Sequence, residues 1–211
     1  MFIQVIQAPA EDADALRAAS YRWAHTLGST SVGWLGCTGG VTAEGTFLTV
    51  ERFESEQKAI LESGRPGRRR WWRDMTAGLG GDATFTNCRT VHVSALDPAG
   101  IDHAGYVQIV QGRVRDATML ATLLRTQEKE MALSRPDLLG STLAFHPDDG
   151  YTHLLYFVSE DTVMDAELRE TPPRLKAVMD ALYELHEAAP AHHLLTDPWM
   201  HTRRDTLPAT V

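Results

Sequence analysis

The chain has 211 residues, 43% hydrophobic and 23% charged, with 28 acidic side chains against 20 basic ones and a formal net charge of −8. That balance argues against a general nucleic-acid binder, which would carry an excess of Lys and Arg, and no apolar run approaches the ~20 residues needed to cross a bilayer. The opening Met1-Phe2-Ile3-Gln4 has no basic segment leading into an apolar stretch, so the expectation is a cytoplasmic protein. Cys37 and Cys88 lack CxxC spacing and are expected to be reduced, partly buried thiols.

Phe2 to Gln7 reads as a strand with no clean alternation, as in a sheet covered on both faces. After the acidic Glu11-Asp12, the residues Leu16, Ala19, Trp23 and Leu27 fall at helical spacing. A hairpin follows, Val32 to Thr38 and Thr46 to Phe53, joined through Gly39-Gly40 and Glu44-Gly45, glycines that supply positive φ. A helical region opens at Ser55 and is interrupted at Arg65-Pro66-Gly67, since proline cannot continue a helix. Thr84 to Val93 reads as one closing strand, and Ala95 to His103, with Asp97-Pro98 and Gly100, as a linker.

The same series then recurs at an offset of 104 positions. Tyr106-Val107-Gln108-Ile109-Val110-Gln111 repeats the first strand, and Asp116 with Leu120, Leu123, Leu124 and Met131 repeats the first helix. Leu138 to Phe145 and Tyr151 to Val158 form a hairpin around Pro147-Asp148-Asp149-Gly150. Ser159 opens a second helical region, broken at Pro172-Pro173 and continued by the apolar stripe Leu175, Val178, Met179, Leu182 and Leu185; His192 to Leu195 closes the copy. Leu35-Gly36 matches Leu139-Gly140, and Ser55-Glu56 matches Ser159-Glu160. The order is β-α-β-β-α-β twice, an α+β chain of two ferredoxin-like repeats, residues 1–97 and 104–211. One such sheet has helices on one face only, so the two repeats are expected to pack sheet to sheet.

The paired Gln-containing strands, the turn Gly36-Cys37-Thr38-Gly39-Gly40-Val41-Thr42, the edge Arg52-Phe53-Glu54-Ser55-Glu56, the pair Trp71-Trp72 and the closing Asp197-Pro198-Trp199 resemble the tandem members of the antibiotic biosynthesis monooxygenase-like, dimeric α+β barrel superfamily. The resemblance implies an intramolecular version of the barrel that single-repeat relatives make by dimerising, as a monomer or a homodimer of tandem chains. It also implies a pocket for a small hydrophobic or aromatic molecule between sheet and helices. The superfamily spans cofactor-free monooxygenases, haem-degrading enzymes, cyclases and isomerases, so the fold does not name the chemistry.

Positions that differ between the copies are the natural places to look for function. Trp71 corresponds to Leu175 and fits a core position in both, or a wall of the pocket. Trp72 corresponds to Lys176, which a buried face would not tolerate, so Trp72 is the candidate for stacking on a substrate, as a Trp on the second helix does in the relatives; packing under the Arg-Pro-Gly loop is the plainer reading. Gln4 and Gln108 stand where relatives carry an Asn facing the pocket, and a carboxamide there could hold a substrate oxygen or satisfy neighbouring backbone. Arg70, within Arg68-Arg69-Arg70-Trp71-Trp72-Arg73, could attract an anionic or phenolate substrate at the pocket mouth.

Of nine histidines, His92 and His186 are the candidate acid/base residues, each with a hydrogen-bonded core role as its plainer reading. Adjacent His192 and His193 face opposite sides of a strand, and no HExxH or Cys/His cluster suggests a metal. The expected activity is cofactor-free oxygenation of an electron-rich, polyketide-like aromatic in the first repeat, with the second mainly structural. The alternatives are a non-oxidative cyclase or isomerase, or a binding protein for haem or a hydrophobic metabolite.

Overall fold

The computed structural model describes residues 1–97 and 100–203, so Pro98 of the linker and residues 204–211 of the second repeat lie outside the described residues. In chain order the elements are β1 (Phe2–Pro9), α1 (Ala13–Arg22), β2 (Trp34–Val41), β3 (Thr46–Phe53), α2 (Glu56–Ser63), α3 (Pro66–Thr76), β4 (Thr84–Cys88) and β5 (Thr90–Ala95). They continue as β6 (Tyr106–Arg113), α4 (Ala117–Ser134), β7 (Leu138–Phe145), β8 (Gly150–Phe157), α5 (Glu160–Glu167), α6 (Pro173–Leu185), β9 (Ala191–Leu195) and β10 (Trp199–Thr202). Each repeat forms an antiparallel sheet, β10-β2-β3-β1-β4 in the first and β5-β7-β8-β6-β9 in the second, the ferredoxin-like order with one strand added.

Several of the repeated residues are helix caps. Asp12 accepts from the backbone N–H of Ala15 at 2.9 Å, and Asp116 from that of Met119 at 2.8 Å. Ser55 and Ser159 do the same for α2 and α5. Each satisfies an N–H that the helix itself leaves unpaired. Pro66 and Pro173 then start new helices at the first helical position, where a missing N–H costs nothing.

The two compact units do not follow the repeat boundaries. Among the described residues, the first is Met1–Arg89 together with residues 197–203, and the second is Thr90–Thr196. The strand expected over Thr84 to Val93 is two strands. Arg89, held by a bidentate ion pair to Glu56, separates β4, which stays in the first sheet, from β5, which joins the second. The closing Asp197-Pro198-Trp199 leads into β10, which pairs with β2 in the first sheet.

This exchange explains why Leu-Gly recurs in both hairpins. β2 and β7 both shift register at the bulge that ends in Gly36 and Gly140. A Cβ on Gly36 would stand 2.5 Å from the His201 carbonyl oxygen of β10, and one on Gly140 would stand 2.4 Å from the Ser94 carbonyl oxygen of β5. Only glycine lets the added strand close on the edge, and a covered edge is protected from pairing with another chain. Gly140→Ala therefore displaces β5 and should lower stability by about 1–3 kcal/mol, read as a lower urea midpoint, with faster amide exchange in residues 90–95; unchanged exchange there would show that the strand does not depend on this contact.

Candidate functional site

Much of the space between sheet and helices in the first unit is filled by indoles. Trp23, Trp34 and Trp71 are buried there, with ring centroids 6.1 Å apart for Trp23 and Trp34 and 5.1 Å for Trp23 and Trp71. α1 gives way to a π-helical turn over Trp23–Leu27 before the chain reaches β2. Trp71 donates its indole N–H to the Ala19 carbonyl at 2.7 Å. Beside this cluster sits Cys37, whose thiol burial and the nearby Glu51 carboxylate push up to about 12, so it stays protonated.

In the second unit the offset of 104 places Gln127, Leu138 and Leu175 where the indoles stand, and α4 runs as a regular helix of 18 residues. These smaller side chains make up that volume only in part, and a cavity of about 280 Å³ lies beside Leu138, walled by Val91, His92 and Ser94 from β5, Leu138, Ser141 and Leu143 from β7, His153 and Leu155 from β8, and Leu124, Arg125, Glu128 and Met131 from α4.

Strand register sets the chemistry of its floor. His92 pairs with Leu143, and Leu143 with His153, and directly opposed residues of antiparallel strands point to the same face. The two imidazoles thus flank the Leu143 side chain, with α-carbons roughly 10 Å apart as two strand spacings require. His92 is exposed at the outer strand, against the Phe145 ring. His153 is only 9% exposed, its Nε2 has no hydrogen-bond partner, and burial lowers its pKa to about 4. It is therefore neutral at pH 7, and its Nε2 is a buried polar atom left unused beside the cavity. Its sequence context, Thr152-His153-Leu154-Leu155, has no feature that singles it out; only the alternation of β8 and its pairing with β7 place it beside the cavity.

The other sequence candidates fall elsewhere. His186, next to the end of α6, donates from Nδ1 to the Leu182 carbonyl at 2.7 Å, which leaves Nε2 of the neutral ring to accept from the Tyr151 hydroxyl at 2.6 Å. Burial pushes that tyrosine up to about 12, so the pair is a hydrogen-bonded brace outside the cavity. Gln4 donates to the Asn87 side-chain carbonyl at 2.9 Å and borders a separate cavity in the first unit. Gln108 lies beside Leu155 in the register and hydrogen-bonds Tyr106. Trp71 is core; Trp72 is half-buried against Phe85, 5.1 Å between ring centroids, and belongs to neither cavity. Arg70 is exposed in a shallow depression with Pro66, Arg69 and Arg73.

Neither α3 nor α6 contains a histidine, and both ring nitrogens of His186 are engaged. Among the described residues no group of three or more His, Cys, Asp or Glu side chains is placed to hold a metal ion, and no helix is long and apolar enough to cross a membrane.

No family profile and no curated protein matches the chain. Solved structures do. One from Fusobacterium nucleatum described as a candidate monooxygenase has 10% identity and a TM-score of 0.76, covering 95% of this chain and 94% of its own. A candidate monooxygenase from Lactobacillus acidophilus has 10% identity and a TM-score of 0.73, covering 96% of both chains. An anthrone oxidase-like protein has 9% identity and a TM-score of 0.67, covering 100% of this chain and 97% of its own. The chain has the fold of these three proteins.

His153 also makes stability depend on pH. Its folded pKa of about 4 lies below the ordinary histidine value near 6.5. The unfolded chain takes up this proton first, so the contribution is complete above about pH 6.5 and is lost as pH falls toward 4, on the order of 2–3 kcal/mol in all. Urea midpoints of wild type and His153→Leu, followed from pH 7.5 to 4.5, should diverge as pH falls, the wild type losing stability that the variant keeps; a constant gap would mean that the imidazole titrates normally.

Proposed function

We propose that the protein is a small-molecule enzyme that oxygenates an electron-rich aromatic of two or three fused rings in the second unit's cavity, with the substrate itself supplying electrons to O₂. The observation that supports this is the register-built row of His92, Leu143 and His153 under a cavity of about 280 Å³. An engineered apolar cavity of about 150 Å³ accommodates benzene. Roughly twice that suits a small fused system rather than a four-ring one.

The roles follow from burial. His92 is exposed at the edge and can pass a proton to water, so it is the general base toward an acidic ring C–H or hydroxyl. His153 stays neutral and can donate one N–H bond to the oxygen on which charge develops, as a neutral imidazole does where its pKa is held low. Leu124, Met131, Leu143 and Leu155 keep water from the activated carbanion. For an anthrone-type methylene, proton removal gives an anion that transfers one electron to O₂. The substrate radical and superoxide then combine to a hydroperoxide, which loses water to leave a carbonyl. One O₂ is consumed, and one of its atoms leaves as water.

Oxygen uptake with anthrone and dihydroxynaphthalene substrates tests this reading. Wild type should turn over only in the presence of O₂, His92→Ala should lower kcat by about 10²–10⁴-fold, and Ser141→Phe, which fills the cavity, should abolish turnover. Trp72→Phe should stay within about twofold of wild type. Equal product formation under anaerobic conditions would replace oxygenation with a base-catalysed isomerisation or cyclisation, and activity indifferent to both His92→Ala and Ser141→Phe would remove this cavity from the reaction.

A further inference from the structure

The outer face of α3 carries arginines that the packing of the first unit does not use. At 3.6 residues per turn, Pro66, Arg69, Arg70 and Arg73 fall on one stripe about 100° wide, with the buried Arg68, Trp71 and Met75 on the opposite side of the helix. Arg69, Arg70 and Arg73 are exposed and line a depression of about 510 Å³ that faces solvent, away from the space between helix and sheet. Exposed arginines elsewhere in this acidic chain find a carboxylate. Arg17 holds Asp197, Arg89 holds Glu56, Arg113 holds Asp148 and Arg203 holds Glu54. Among the described residues Arg69, Arg70 and Arg73 form no ion pair, and Asp74, one turn along from Arg70, is unpaired as well.

This arrangement works against the helix. Arg69 and Arg73 are like charges four residues apart, and Arg69 and Arg70 bring positive charge close to an N-terminus that has no side-chain cap and no acidic residue in its first turn. The second copy does without it, since Pro173, Arg174 and Ala177 stand at the offset of 104 and α6 still forms. Three unpaired guanidiniums around one depression, each a fork of N–H donors, match a group with several charged oxygens. A single carboxylate has too few oxygens to engage three forks. An extended polyanion would need positive charge to continue beyond the stripe, whereas Asp74 borders it and the whole chain carries −8. We propose that the outer face of α3 is a binding site for a compact polyphosphate, the di- or triphosphate group of a soluble anion, held by Arg69, Arg70 and Arg73. It is separate from the cavity proposed for oxygenation, which belongs to the second unit.

Calorimetric titration of the full chain in one low-salt buffer tests the proposal, with tripolyphosphate, citrate and a single-stranded oligonucleotide as probes. Tripolyphosphate should bind at least about 10-fold more tightly than citrate, whose charges sit on carboxylates. Arg69→Gln and Arg73→Gln should each weaken it about 10-fold, the loss of one charge-assisted contact. Arg69→Lys/Arg73→Lys, which keeps the charge and removes the forks, should weaken it at least about threefold. Arg22→Gln, an exposed arginine of α1, should leave it unchanged. Urea midpoints of the Gln variants should match or exceed that of wild type, because like charges have been removed, so lost binding is not lost fold. Equal binding of citrate and tripolyphosphate, affinity unmoved in Arg69→Gln and Arg73→Gln, an equal loss in Arg22→Gln, or no binding would each overturn the proposal. Tighter binding of the oligonucleotide than of tripolyphosphate would replace it with a nucleic-acid surface.

Discussion

The space between helices and sheet in a ferredoxin-like unit must be filled to near-crystalline density or left as a defined hole, and in this chain the three indoles of the first unit decide which. Trp23, Trp34 and Trp71 occupy that space, with the Arg68 guanidinium against Trp23 and Trp71. Their removal from the second copy of the same backbone plan leaves Gln127, Leu138 and Leu175 in their place and a cavity beneath α4. The π-helical turn at Trp23–Leu27 belongs to the same constraint. It occurs where the bulky Trp23 is packed, whereas α4, with Gln127 at that position, runs straight.

A second constraint is the edge of each hairpin. β2 and β7 would each present unpaired backbone groups, and each is covered by a strand distant in sequence from its own repeat, β10 and β5. In the second unit this cover has a chemical consequence, because β5 brings His92, Ser94 and Val91 into the cavity wall. Without it the cavity would have one histidine and an open side. The bulge at Gly140, which makes room for β5, is thus tied to the site as well as to the sheet.

Much of this was legible in the sequence, and the rest was hidden for physical reasons. The repeat displayed the caps Asp12, Asp116, Ser55 and Ser159 and the bulge glycines, because local geometry demands the same residue types in both copies. The break at Arg89 and the strand at Trp199 were not visible, since exchange between sheets depends on partners about 50 and 160 positions away rather than on local pattern. Comparison of the copies by polarity singles out Trp72 against Lys176, whereas the two units differ also in side-chain volume at three buried positions. His153 escaped notice because its place follows from cross-strand register, and nothing in Thr-His-Leu-Leu fixes which neighbours it meets.

The volume change is compensated in part, and the compensation gives the cavity its character. In the first sheet the cross-strand pair under the indoles is Gly39 and Thr49, and a Cβ on Gly39 would come within 2.7 Å of the Thr49 hydroxyl. The equivalent pair in the second sheet is Leu143 and His153. Bulk has moved from the helix side of the layer to the sheet side, and the imidazole has come with it. A leucine at 153 would have filled the floor equally well without a buried, unpartnered nitrogen, whose desolvation costs on the order of 1–3 kcal/mol. On the proposed reading, a polar atom retained at that cost, in the half of the molecule where packing has been relaxed, is there for a ligand in the cavity.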